Sequence, residues 1–160
     1  MYGELEPIDH EIRLEARIRR RKELLTRKDR PEIHLLLDES VLYRKIGSAR
    51  ILGEQLLDLS RLASQQRVRI RLVPFALESA PPSTFVSFEV LYLGNNEDAV
   101  MYVESELRDS IVEDEAEIKR RLQTFDQLWE VALDESGSID MVREHGAKIL
   151  AAADNKPASG

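Results

Sequence analysis

The stretch between Pro31 and Pro74 changes its apolar period twice, and few arrangements accommodate that change. Glu32-Ile33-His34-Leu35-Leu36-Leu37-Asp38 is a short, nearly continuous apolar run of the kind a central strand shows, and Pro31 ahead of it stops any preceding helix. Gly47 breaks a short turn over residues 41–45, and Ser48 then opens a helix with Leu52, Leu56, Leu59 and Leu62 on one side. Val68-Arg69-Ile70-Arg71-Leu72 alternates apolar residues with arginine, as a half-exposed strand does, and ends where Pro74 removes a ladder donor. Strand, helix, strand predicts a right-handed crossover with its two strands parallel.

The flanking segments add further elements. From Ile8 to about Lys28 there is neither Gly nor Pro, and Leu14, Ile18 and Leu25 recur at helical spacing among arginines, which predicts an amphipathic helix. Phe85 to Leu93 is rich in β-branched and aromatic residues, Gly94 to Asp98 is polar turn chemistry, and Ala99 to Glu104 should return as the second strand of an antiparallel hairpin. Ile118, Leu122, Phe125, Trp129 and Ala132 mark a helix whose dipole is favoured by the acids at its start, and Ile139, Val142 and Ile149 mark a last one. The expected fold is α/β or α+β: a four-stranded mixed sheet packed with about four helices, the hairpin extending the same sheet and one face less covered. An apolar share of 42% over 160 residues suits one core, so residues 1–153 are read as a single domain and 154–160 as a fraying tail.

Charge and cysteine narrow the function classes. With 30 acidic against 23 basic side chains the formal charge is −7, which repels polyanions and argues against a free-standing DNA binder. Cysteine is absent, removing disulfides, thiolate metal sites and cysteine nucleophiles, and His10, His34 and His145 share no metal-ligand spacing. No cofactor is expected, since the chain has no glycine-rich phosphate loop and no nucleophile elbow. The longest apolar runs fall far short of a bilayer span, so a cytoplasmic protein without membrane contact is expected.

Several constellations admit both a chemical and a plain structural reading. Residues 11–30 hold nine bases and four acids, and the run Arg17, Arg19, Arg20, Arg21, Lys22 would neutralise phosphates if it formed one face. At helical spacing it does not, and Arg17 and Arg21 beside Leu14 and Ile18 suit stems on the core edge with heads pairing to acids further along. Arg67, Arg69 and Arg71 suit an anion site or a solvated strand face. The acidic segment Glu104 to Glu117 lacks the spacing of a calcium loop and reads as a linker and helix start. Asp38 and Glu39 lie past the end of the first strand, where α/β proteins place binding groups, and serve either as acid/base carboxylates or as helix caps. Glu104, next to Tyr102 at the end of the hairpin, could face the same crevice.

Taken together, Arg17 to Leu25, Pro31 through Asp38-Glu39-Ser40-Val41-Leu42-Tyr43-Arg44-Lys45-Ile46-Gly47, Gln55-Leu56, Val68 to Pro74, Phe88 to Leu91, Tyr102-Val103-Glu104, Phe125 to Leu128 and Ala132-Leu133 resemble a known family. They are similar to the C-terminal domain of actinobacterial XRE-type helix-turn-helix regulators, the antitoxin-like, WhiJ-like group, over about Arg13 to Ile149. Arg21 stands where that family usually has glutamine, and Ala80-Pro81-Pro82 replaces a loop in which the family carries glycine or histidine, with a glycine just before the next strand. The family's helix-turn-helix is not in this sequence, so no DNA-reading helix carries over.

The resemblance implies a regulatory, ligand-sensing domain that docks a small partner protein or binds a small-molecule effector. It reaches DNA only through an attached module, with a homodimer left open. The resemblance carries no catalytic residues. The expected contact surface comprises Asp38, Glu39, Tyr43, Arg44, Arg71, Phe75, Tyr102 and Glu104. The competing expectation is a relative recruited as a small-molecule cyclase or isomerase, which needs an enclosed pocket and a buried carboxylate from among Asp38, Glu39 and Glu104.

Overall fold

The computed structural model describes residues 7–28, 31–76, 87–93, 98–103 and 110–155. Helix α1 covers Pro7–Thr26, strand β1 His34–Asp38, a 3-10 turn Glu39–Leu42, helix α2 Ala49–Ser64 and strand β2 Arg69–Val73. Strands β3 (Phe88–Leu93), β4 (Asp98–Val103) and β5 (Ser110–Val112) follow, then helices α3 (Glu115–Val131) and α4 (Glu135–Asp154).

The crossover behaves as its periods dictate. β1 and β2 pair in parallel, with His34 opposite Arg69 and Asp38 opposite Val73. Ile33, Leu35 and Leu37 join Val68, Ile70 and Leu72 on the face that meets α2 and α4, where Leu42, Ile70, Leu72 and Val142 are fully buried. Each such side chain contributes about 1.5–3 kcal/mol of burial. α2 begins under the Ser48 hydroxyl, which accepts the Ile51 amide at 3.2 Å, and it crosses α4 at two glycines. A Cβ on either Gly53 or Gly146 would lie 3.1 Å from the other's carbonyl oxygen, so their missing side chains let the two backbones approach.

The hairpin forms as expected, antiparallel with Val90 opposite Met101, but it does not extend the parallel pair. The single four-stranded mixed sheet is corrected to two sheets, β1-β2 parallel and β3-β4-β5 antiparallel. The cause lies at the outer edge of β2. Because the Arg69 amide bonds to the Ile33 carbonyl, alternate residues such as Leu72 turn their backbone groups away from β1. The α3–α4 junction takes that place. The Leu72 amide donates to the Ser138 hydroxyl at 3.0 Å, and the Leu72 carbonyl accepts from the Leu133 amide at 2.9 Å. β4 finds its second neighbour in β5 instead, with Tyr102 opposite Ile111. That short strand lies in the segment read as an acidic linker.

α3 joins the two sheets, touching β1, β2 and β4. The outer face of the parallel pair, expected to be sparsely covered, therefore carries Trp129. The Trp129 ring stacks on His34 at 5.3 Å between centroids, and the Arg71 guanidinium lies 5.2 Å from its centre. Met101 is fully buried, and Ile118 and Leu128 of α3 are nearly so, away from the α2–α4 core.

α1 is held differently. Its Leu14 and Ile18 stripe is 58% and 59% exposed, so the amphipathic helix does not turn that face to the core. Arg21 instead forms an ion pair with Asp58 of α2, which Arg61 shares. Burial opposes ionisation of Asp58, but the hydrogen bonds from Arg61 and Arg21 prevail and hold its carboxyl below the usual range. No helix among the described residues is long and apolar enough to cross a membrane.

Candidate functional site

The expected contact residues converge in part at the C-terminal ends of β1 and β2. Asp38 is the cap of the 3-10 turn: its Oδ1 accepts the Ser40 amide at 2.9 Å. Asp38 is thereby committed to the capping role. Glu39, next in the chain, ties the turn to the end of β2. Its Oε2 accepts the Phe75 amide at 2.8 Å and its Oε1 accepts the Tyr43 hydroxyl at 3.3 Å. Pro74 has no amide of its own, so the Phe75 amide just past it is the one Glu39 captures.

The effect is to bring three rings together at the surface. Tyr43 stacks on Phe75 with centroids 5.8 Å apart and meets His145 of α4 edge-on at 4.5 Å. Tyr43 is 52% and Phe75 63% exposed, and Val41 and Ile46 stand exposed on the same connection. Arg44, also exposed, lies beside Tyr43 and donates its amide to the Ser40 carbonyl at 3.2 Å. An open apolar surface rimmed by charge can hold a protein surface; Glu39 orients the rings.

Other expected members are placed elsewhere. Arg71 points to the α3 face of the parallel pair, where its Nη1 donates to the Trp129 carbonyl at 2.5 Å and its Nε is buried with no partner among the described residues. Tyr102 stands on β4 of the second sheet, opposite Glu89 on β3. Glu104 lies outside the described residues, as does the loop over Ala80-Pro81-Pro82.

A second constellation surrounds Trp129. Phe125 stacks on it at 5.5 Å, and Arg69 lies 5.8 Å from its centre while pairing with Glu135 and Glu32. The hydrogen bond from Arg69, reinforced by its charge, keeps the Glu135 carboxyl below the usual range against the effect of burial; that from His34 does the same for Glu32. His34, Arg69, Glu32 and Glu135 are already paired to one another, which suits a structural lock between α3, α4 and the sheet. Sequence reasoning missed His145 and Trp129 as ring partners. The available signal was local: His145 sits between buried Val142 and Ile149 on α4, and Trp129 shares the apolar stripe of α3.

Two cavities lie at the other end of the parallel pair. One of about 380 Å³ is lined by Pro31, Glu32, Gln66, Arg67, Arg69 and Glu135 among others, and one of about 270 Å³ lies under α1. Neither is lined by Asp38 or Glu39. Among the described residues, no three of His, Asp and Glu are grouped so as to hold a metal ion.

A family model described as a domain of unknown function, DUF5753, matches residues 2–144. The chain belongs to the DUF5753 family. No curated protein and no solved structure matches it. Within the DUF5753 domain the match takes in Glu39, Tyr43, Phe75 and Trp129 and stops one residue before His145, so the ring cluster lies almost wholly inside the shared region.

Proposed function

We propose that this DUF5753 domain is the regulatory part of a helix-turn-helix transcriptional regulator and docks a small partner protein through the Tyr43–Phe75 surface. The observation that carries this reading is the exposed ring pair, held in place by Glu39 at the mouth of the crossover and flanked by exposed Val41 and Ile46. Aromatic residues presented on a rigid support are the usual anchors of protein interfaces. The resemblance to XRE-type, antitoxin-like regulators supplies the regulatory context, and the acidic net charge fits a domain that leaves DNA to another module. The recruited-enzyme reading draws less support, because Asp38 caps the turn through Oδ1, Glu39 spends both oxygens on a backbone amide and a hydroxyl, and neither lines a cavity described above.

The test is co-expression with the products of the reading frames on either side of this gene, followed by size-exclusion chromatography and titration calorimetry. A defined complex is expected, and it should be lost in Tyr43→Ala/Phe75→Ser and retained in Leu91→Ser, which removes an exposed apolar residue on β3. A complex indifferent to the double variant, or no complex at all, overturns the proposal. The reading frame upstream of Met1 tests the attachment, with an in-frame helix-turn-helix as the expected finding.

A further inference from the structure

α1 meets the rest of the domain through a gap. Arg17, Arg20, Arg21 and Leu24 form one wall of the cavity of about 270 Å³, and Ile33, Leu35, Leu59 and Leu62 are among the residues of its floor. The floor is aliphatic throughout. The three arginines that line the cavity are exposed, and an exposed arginine lays its methylene stem along apolar surface while its guanidinium head stays in water. Arg21 pairs with Asp58, whose second oxygen is taken by Arg61. Arg20 makes no ion pair among the described residues. In a chain of net charge −7, the mouth of this apolar cavity is locally positive.

We propose that the cavity under α1 binds a small amphipathic anion, an unbranched acyl chain on the aliphatic floor with its carboxylate at the arginine rim. Size selects the small molecule over a partner helix, since an α-helix with side chains is about 10–12 Å across and the cavity is only about 270 Å³. That volume lies near the lower end of small-molecule sites. Charge selects the anion, because a carboxylate between guanidinium heads gains charge-assisted hydrogen bonds that an alcohol of equal length makes more weakly and an ammonium cannot make. The same ligand would tie α1, which the Arg21–Asp58 pair joins to α2, to β1 as well. This site is separate from the ring surface, and neither proposal depends on the other.

Titration calorimetry of the folded chain with decanoate, decanol and decyltrimethylammonium tests it. Decanoate is expected to bind, decanol about tenfold more weakly, decyltrimethylammonium not at all, and acetate not at all for want of a chain. Arg20→Ala, an exposed substitution whose folding is checked by its circular dichroism melt, should weaken decanoate about tenfold and decanol by less, since decanol loses only the contact with the arginine stem. Absence of decanoate binding overturns the proposal. So does decanol or decyltrimethylammonium binding as tightly as decanoate, or an Arg20→Ala variant with unaltered decanoate affinity.

Discussion

The Leu72 amide donates to the Ser138 hydroxyl at 3.0 Å, and through that bond a side chain from α4 occupies the edge of β2 where a third strand would otherwise pair. Ser138 is fully buried and passes its own proton to the Leu133 carbonyl at 3.2 Å, so both groups it touches are satisfied by one hydroxyl. This junction separates the two sheets.

Removing the hydroxyl exposes the cost of that arrangement. Ser138→Ala leaves the Leu72 amide buried without an acceptor and is expected to destabilise the domain by about 1–3 kcal/mol, measured by urea unfolding. Ser138→Thr keeps the acceptor and serves as the control. A Ser138→Ala variant within about 0.5 kcal/mol of the parent would mean that the edge amide is hydrated or otherwise bonded.

The same bond explains which parts of the fold were legible in the sequence. The crossover was written in local periods: the run over residues 32–38, the leucines of α2 and the alternation ending at Leu72 each specify an element, and chain connectivity makes the strands parallel. The hairpin over β3 and β4 was equally local. The partition into two sheets was not, because it depends on a serine in the first turn of α4 reaching a strand edge 66 positions away. β5 was hidden among acids, its three residues too few to show a period. At the ring surface, Glu39 and Tyr43 were legible from their place after β1, whereas His145 entered only through the packing of α4. Arg71 was misplaced because alternation fixes which strand residues share a face and leaves open which helix covers it.

A stabilising substitution is expected at the end of α2. The Arg67 amide bonds the Leu62 carbonyl and the Gln66 amide the Ala63 carbonyl, both at 2.9 Å, which closes the helix as a Schellman motif. That motif puts Gln66 at φ 54°, the left-handed region where a side chain costs about 1–2 kcal/mol. Gln66→Gly removes the cost but frees the unfolded chain, so a net gain of about 0.5–1 kcal/mol is expected. A thermal melt should show the midpoint rising by about 1–4 °C. Gln66→Val should lower it, since a β-branched residue fits that conformation worse.

Acid sensitivity follows from the Arg69–Glu135 pair. The ordinary value for Glu135 is 4.5 and the folded value lies below it, chiefly through the hydrogen bond from Arg69. Its stabilising contribution is therefore fully present above pH 4.5 and is lost as pH falls through the lowered folded value. Glu135→Gln should be less stable than the parent at pH 7, and the difference should shrink as pH drops below 4.5. Unfolding free energies across pH 3–7 check this. A difference that stays constant with pH would show that the glutamate acts through packing alone.

The ring surface predicts a separation of stability from binding that a core residue cannot show. Phe75 is 63% exposed, and its amide bond to Glu39 comes from the backbone and survives replacement of the side chain. Phe75→Ser should therefore leave the unfolding free energy within about 0.5 kcal/mol of the parent while removing much of the partner affinity, since truncating an aromatic anchor costs about 2 kcal/mol or more. Glu39→Gln acts by the other route. It keeps an acceptor for the Phe75 amide, so the rings should hold their places and binding should fall less than in Phe75→Ser; Glu39→Ala frees both Tyr43 and the chain past Pro74 and should weaken binding without touching the interface chemistry. Calorimetry with the partner, read beside urea unfolding of each variant, distinguishes the two. If Glu39→Ala and Phe75→Ser lose affinity only in proportion to lost stability, the surface is a packing feature of the crossover and not a contact site.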